Sequence, residues 1–146
     1  MTPKDILKAA KTVLVIDWPS KEVPELLALA GLQVVVKGGP GPEDYFVYEV
    51  KDGKVESRRA GRPPQKADLV YSYRPLGELP AVLASAKQLQ AQTIWTQSGL
   101  GEDGRRDVRG CRLSEEDRRR AGDLIRTAGL HHIWEPYIGD VARQLL

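Results

Sequence analysis

The residues best suited to chemistry in this chain of 146 residues stand where two apolar runs end. Arg74 and Pro75 follow the first run, and Gln97, Ser98 and Gly99 follow the second. A guanidinium matches the oxygens of a phosphate, a glutamine amide both donates and accepts hydrogen bonds, and glycine lets backbone amides approach a ligand. Buried parallel strands open into ligand crevices at their carboxyl ends, so the pattern predicts a site for a phosphate-bearing ligand.

Arg74 also has a purely structural interpretation. It stands four residues before Glu78, a spacing at which side chains of opposite charge pair on a helix. The sequence leaves both roles open. Tyr73 belongs to the same strand end and Lys37 closes another apolar run, so both are candidate site residues as well.

The run Thr12–Asp17 predicts the first strand, whose carboxyl end should form the opposite wall of the crevice. Ser20 and Lys21 follow at the expected start of a helix, with Ser20 as its cap. A hydroxyl, free amides and a cation there suit a phosphate, whereas Asp17 would repel it. Trp18 has two interpretations, as the wall of an adenine or pantetheine pocket or as a residue that closes the core.

Other reactive side chains give weaker signals. Cys111 has no histidine near it in the sequence, which favours a free thiol over a nucleophile. His131 and His132 are adjacent on an expected strand, so they should point to opposite faces and share no metal ion. The segment Arg105–Arg112 is either a solvated loop or a cover over a ligand phosphate. We expect neither a metal site nor a catalytic residue set.

Apolar runs and helix-like segments alternate along the chain, which predicts a mostly parallel sheet that carries these residues. The expected strands are Thr12–Asp17, Gln33–Lys37, Leu69–Tyr73, Thr93–Thr96 and His131–Trp134. Expected helices include one that ends at Gly31 and others over about Leu76–Gln90, Ser114–Gly129 and Gly139–Leu146. A hairpin over about 45–58, with its turn at Asp52 and Gly53, stands where a crossover helix would be expected. The predicted fold class is α/β, a single three-layer Rossmann-like domain over 1–146 with helices on both sheet faces and an inserted β-hairpin.

Three segments, Tyr73–Pro75, Leu79–Val82 and Trp95–Gly99, follow one another with the order and spacing of a known pattern. In them the chain resembles the CoA-binding domain family, whose small Rossmann-like members are similar to the nucleotide-binding domain of the succinyl-CoA synthetase α subunit. The resemblance implies a CoA or acyl-CoA ligand at the strand ends, near Arg74 and Gln97. The chain departs from the family over 17–21, where the family has a glycine-containing loop against the CoA diphosphate.

The sequence therefore predicts a non-catalytic nucleotide-binding protein that takes CoA, or a related adenine nucleotide, as its cofactor. The alternative is a protein-interaction module that keeps the fold but has lost the phosphate-binding loop. An exposed hairpin edge can pair with another chain, so a homodimer belongs to this second interpretation.

Composition limits the classes of partner and the cellular compartment that we expect for this protein. A formal net charge of +2 gives little general attraction to nucleic acid, which is not an expected partner. A single cysteine suits a reducing compartment. The chain has no apolar stretch near the roughly 20 residues that span a bilayer, so we expect no membrane partner and a cytoplasmic location.

Overall fold

A computed structural model describes residues 1–16, 21–97 and 114–146 of the chain. Within these residues, seven strands form one sheet in the order β4-β3-β2-β1-β5-β6-β7. The strands are β1 (Thr12–Ile16), β2 (Gln33–Lys37), β3 (Tyr45–Lys51), β4 (Lys54–Arg59), β5 (Leu69–Ser72), β6 (Thr93–Thr96) and β7 (His131–Ile133). The helices are α1 (Pro3–Ala9), α2 (Glu22–Leu29), α3 (Leu79–Gln88), α4 (Glu115–Thr127) and α5 (Ile138–Gln144).

The centre of the sheet is parallel. β1 pairs in parallel with both β2 and β5, and β5, β6 and β7 continue in the same direction. The chain moves outward from β1 to β2 and later returns to the other side of β1 at β5. This reversal of strand order leaves a crevice outside the carboxyl ends of β1 and β5, which is where open α/β sheets bind ligands.

Helices cover both faces of the sheet, which confirms the three-layer Rossmann-like fold. One core cluster joins Val15 and Tyr71 of the sheet to α1, α2 and α5. The other joins Leu14 and Val70 to α3 and α4. Because neighbouring strand residues point to opposite faces, the continuous apolar runs of β1 and β5 supply both clusters.

The predicted hairpin is present and extends the sheet. Asp52 and Gly53 have φ angles of 53° and 77°, so both take the left-handed conformation that a two-residue hairpin turn requires. β3 pairs antiparallel with β2, and β4 pairs antiparallel with β3 at the edge. The hairpin therefore adds two strands to the parallel sheet on the β2 side.

The starts of α1, α2 and α3 differ from the sequence expectation. α3 begins at Leu79 and not at about Leu76, because Leu76–Glu78 forms a 3-10 turn. α1 was not predicted, although Thr2 and Asp5 form a capping box there and Pro3 takes the first helical position. α2 begins at Glu22 with Lys21 as its cap residue and no side-chain capping bond, and Ser20, which the sequence suggested as a cap, lies outside the described residues. The helix expected from Ser114 is confirmed as α4, and the Ser114 hydroxyl caps it by accepting the Asp117 amide at 3.1 Å. No helix in the described ranges is long and apolar enough to cross a membrane.

Candidate functional site

A cleft of about 450 Å³ opens at the carboxyl ends of β1 and β2, beside the point where strand order reverses. It lies on the α3 side of the sheet. Its lining combines apolar, glycine-rich and charged residues, which are Ile16, Lys37, Gly38, Gly39, Pro40, Arg74, Glu78, Ala81, Val82 and Ser85. The volume falls within the range of roughly 300–1,000 Å³ that is usual for small-molecule sites.

Arg74 lies on the cleft wall and pairs with Glu78. Its Nε and Nη2 atoms donate to the same Glu78 oxygen at 2.9 and 2.6 Å. Both side chains are partly exposed, at 34% and 46%. The two roles that the sequence left open for Arg74 are therefore compatible, because the structural ion pair itself lines the cleft.

Lys37 is the second cation of the cleft and comes from the end of β2. Its ammonium lies 6.0 Å from the centre of the Tyr45 ring, on the neighbouring strand β3. With one carboxylate, Glu78, against two cations, the charged groups of the lining favour an anion. The apolar surface of Ile16, together with the wall that α3 supplies, suits an uncharged part of the same ligand.

The loop after β2 is held tightly against the start of β3. The Gly38 amide donates to the Asp44 carbonyl at 2.9 Å, and the Gly41 amide donates to the Asp44 carboxylate at 2.8 Å. A Cβ atom at Gly39 would lie 2.6 Å from that carboxylate, so a side chain there would have to displace the end of Asp44. The loop is a compact turn that forms one rim of the cleft.

Gln97 lies away from the cleft, on the α5 side of the sheet, and is 1% exposed. Its amide oxygen accepts the Tyr71 hydroxyl at 2.8 Å and the Ile138 amide at 3.3 Å. Its amide nitrogen donates to the Pro136 carbonyl at 3.2 Å. These bonds tie the end of β6 to the segment before α5, which is a structural role that the sequence did not predict.

The other described candidates also lie outside the cleft. Tyr73 packs against the core cluster on the α1, α2 and α5 side, and its amide donates to the Ile16 carbonyl at 3.2 Å. Pro75 borders a gap of only about 10 Å³ at the carboxyl ends of β5 and β6. Lys21 is exposed at the start of α2. The first turn of that helix is acidic, so it is less suited to a phosphate than the sequence suggested.

Several sequence-predicted residues lie outside the described ranges. They are Asp17, Trp18, Ser20, Ser98, Gly99, Cys111 and the segment Arg105–Arg112. The structure therefore brings together two of the predicted site residues, Lys37 and Arg74. It adds a wall from α3 and the loop after β2, neither of which the sequence assigned to the site.

A hydroxyl–imidazole pair lies at the ends of β6 and β7. The Thr96 hydroxyl is 2.7 Å from His132 Nε2. Burial, with smaller effects from the charges of Arg126 and His131, lowers the pKa of His132 to about 4. His132 is therefore neutral at physiological pH and bonds a strand neighbour. The described residues contain no cluster of histidine, cysteine and acidic side chains that could hold a metal ion.

Comparison with known proteins supports the fold and leaves the ligand unassigned. No protein-family model and no curated protein matches the chain. The solved structure of cell-free ID.343 from Thermus thermophilus is similar over 98% of this chain and 96% of its own, with 19% identity and a TM-score of 0.59. A protein of unknown function from Methanothermobacter thermautotrophicus covers 94% of this chain and 92% of its own at 13% identity, with a TM-score of 0.46. At this identity the Thermus structure shows a shared fold alone.

Proposed function

We propose that this chain is a non-catalytic nucleotide-binding protein that holds CoA or an acyl-CoA in the cleft between β2 and α3. The observation that carries the proposal is the placement of Lys37 and Arg74 in one cleft beside the switch point of the sheet. Anionic ligands of open α/β proteins bind at this position. The proposal also draws on the resemblance of Tyr73–Pro75 and Leu79–Val82 to the CoA-binding domain family.

Lys37 lies at the end of β2, the position that contacts the ribose of a nucleotide bound to this kind of fold. The end of the second strand approaches the ribose of a bound dinucleotide, and a cation there accommodates a phosphate on the sugar. CoA carries such a ribose phosphate, whereas dephospho-CoA does not. Lys37 would therefore favour CoA over its dephosphorylated form.

Arg74 and the wall of α3 would serve other parts of the ligand. The Arg74 guanidinium is partly exposed on the cleft wall and suits a diphosphate oxygen. Ile16, Ala81 and Val82 present apolar atoms that suit an adenine face or a pantetheine chain. These residues bind and orient, and the proposal assigns them no bond-making step.

Calorimetric titration with CoA and dephospho-CoA tests the proposal. We expect saturable binding of CoA, weakened about tenfold or more by Lys37→Met or Arg74→Ala, because each removes a charge-assisted hydrogen bond. Lys37→Met should leave dephospho-CoA binding nearly unchanged. Lys51→Met changes an exposed lysine on β3 outside the cleft and is the matched control. Absence of CoA binding, or binding that neither cleft variant weakens, would overturn the proposal.

The second candidate function is an interaction module without a ligand. The burial of Gln97 favours it, because a residue that the family resemblance placed at the ligand instead bonds the segment before α5. The calorimetric titration with CoA and dephospho-CoA distinguishes a CoA-binding protein from an interaction module. A folded protein that shows no heat with either form of CoA supports the interaction module.

A further inference from the structure

β4 is one of the two edge strands of the sheet that the described residues form, and its outer side is called the free edge. We propose that β4 pairs antiparallel with β4 of a second copy across a two-fold axis at Ser57, so that the two sheets become one. This surface is separate from the cleft, and the inference does not depend on the proposed ligand.

Among the described residues, no strand pairs with the outer side of β4. Lys51 and Lys54 flank the two-residue turn, and the Ala60 amide donates to the Tyr45 carbonyl at 2.8 Å. In an antiparallel ladder, hydrogen-bonded pairs alternate along the strand. The even-numbered residues of β4 therefore bond β3, whereas Val55, Ser57 and Arg59 point their N–H and C=O groups outward from the sheet.

The outward groups limit how two copies can pair. In a dimer, the outward N–H and C=O groups of one β4 bond those of the other, so an odd-numbered residue always lies opposite an odd-numbered residue. Two registers meet this condition and still overlap most of the strand. A register centred on Glu56 sets the two Glu56 side chains opposite each other and Lys54 opposite Arg58, so every charged pair is repulsive. A register centred on Ser57 sets Glu56 opposite Arg58 on both sides of the axis. Charge complementarity therefore selects the second register.

The charges within the hairpin support the same register. Glu56 lies directly opposite Glu49 of β3, which is a like-charged cross-strand pair. Among the described residues Glu56 has no ion-pair partner. Arg58 donates from Nε to Glu49 at 2.8 Å and remains 62% exposed. In the proposed dimer the Arg58 of the second copy would lie beside Glu56 and offset the repulsion from Glu49.

The charged edge also explains why pairing would stop at two copies. Charged residues on an edge strand prevent indiscriminate pairing with other strands. β4 carries Lys54, Glu56, Arg58 and Arg59, and most of its side chains are exposed. In a two-fold dimer the β4 edge of each copy is covered by the other copy, so no β4 edge remains for a third copy and the assembly closes as a dimer.

The variant Ser57→Pro removes the outward N–H of residue 57 and leaves the hydrogen bonds between β4 and β3 in place. The wild-type protein should have twice the 16.2 kDa mass of one chain in solution, measured by light scattering on a sizing column. Ser57→Pro should have the mass of one chain while keeping its circular dichroism spectrum, because an edge strand tolerates proline where its amide points outward. Ser57→Ala keeps the amide and should stay dimeric.

A charge-swap experiment tests the register itself. Glu56→Arg alone and Arg58→Glu alone should each be monomeric, because each places like charges across the axis. Mixed in equal amounts, the two variants should form a dimer of twice the chain mass, since each supplies the charges that the other lacks. Lys54→Glu, which lies opposite uncharged Ala60 in this register, should leave the wild-type dimer intact.

Three outcomes overturn the inference. The first is a wild-type protein of single-chain mass at every concentration measured. The second is a folded Ser57→Pro dimer, which would show that another face joins the copies. The third is a mixture of the two charge variants that stays monomeric while wild type is dimeric. Because the mixing test does not use proline, it remains decisive if Ser57→Pro fails to fold.

Discussion

At the scale of single residues, the ion pair of Glu78 with Arg74 predicts that Glu78 weakens the attraction of the cleft for an anion. Its carboxylate accepts two hydrogen bonds from Arg74 and therefore competes with any ligand phosphate for that guanidinium. We expect Glu78→Gln to raise the affinity for CoA about three- to tenfold, which corresponds to roughly 0.6–1.4 kcal/mol for a partly exposed pair. Calorimetric titration measures this change.

Two further variants define the contribution of Glu78. Glu43→Gln removes an exposed carboxylate outside the cleft and is the control for a change in net charge alone. An unchanged affinity in Glu78→Gln, in a protein whose CoA binding Arg74→Ala still weakens, would show that the ligand does not compete with Glu78. That result would keep the proposed CoA site and reject only the competition between Glu78 and the ligand for Arg74.

Gln97 supports stability at a buried junction. Gln97→Ala would leave the Tyr71 hydroxyl, the Ile138 amide and the Pro136 carbonyl without this partner. A buried group that loses its hydrogen bond costs about 1–3 kcal/mol, so we expect the free energy of unfolding to fall by about 2–4 kcal/mol. Urea denaturation measures it, with exposed Gln88→Ala as the control. A loss as small as that of the control would contradict the buried network.

His132 makes stability depend on pH. Its pKa is about 4 in the folded chain, below the ordinary value of 6.5, because burial disfavours the charged ring. The unfolded chain therefore takes up the proton first as pH falls. The contribution of His132 is fully present above about pH 6.5 and is lost between pH 6.5 and 4.

Urea denaturation across that pH window measures the effect of His132. Relative to wild type, His132→Asn should flatten the dependence of the unfolding free energy on pH. Gln88→Asn changes an exposed, uncharged side chain on α3 and should leave the slope as it is. Equal slopes in wild type and His132→Asn would show that the ring has the same pKa in both states.

At the scale of elements, the turn of the hairpin depends on one glycine. Gly53 has a φ of 77° and no atom near the place where a Cβ would lie, so a side chain there meets backbone strain alone. We expect Gly53→Ala to lower the free energy of unfolding by about 1–2 kcal/mol. Gly77 is equally open but has no positive φ, and Gly77→Ala should be close to neutral. Thermal unfolding of both variants compares them, and equal midpoints would contradict the strain.

The elements themselves were largely predictable from the sequence. Strands buried on both faces read as apolar runs, and the turn at Asp52 and Gly53 marked the hairpin. α1 was missed because its signal lies in the cap of Thr2 and Asp5, and only Leu7 of that helix is buried. α2 begins at Glu22, two residues after the serine that suggested a cap in the sequence.

The candidate site was predictable only in part. Tyr73 lies two residues after Tyr71, and Gln97 lies two residues after Trp95, so each shares the face of a residue in the α5-side cluster. The alternation of side chains along a strand could therefore have placed Tyr73 and Gln97 on the opposite face of the sheet from Arg74, from the sequence alone. The wall from α3 could not be predicted, because the contact of Val82 with the cleft depends on how the crossover helix packs.

At the scale of the whole molecule, the cleft and the free edge lie on different parts of one sheet. The cleft uses β1, β2 and α3, and the edge is β4, with β3 between them. Sites that share no partners contribute independently to the free energy of unfolding. We therefore expect monomeric Ser57→Pro to bind CoA with the wild-type dissociation constant.

Calorimetric melting of both proteins tests this independence. At a CoA concentration one hundred times the dissociation constant, binding stabilises either protein by about 2.7 kcal/mol, a rise of about 8 °C in Tm. Dimerisation adds a separate signature, because the Tm of wild type should rise with protein concentration and that of Ser57→Pro should not. A folded Ser57→Pro that loses the rise with CoA would show that the edge and the cleft are coupled, since β3 joins them through Asp44 and Tyr45.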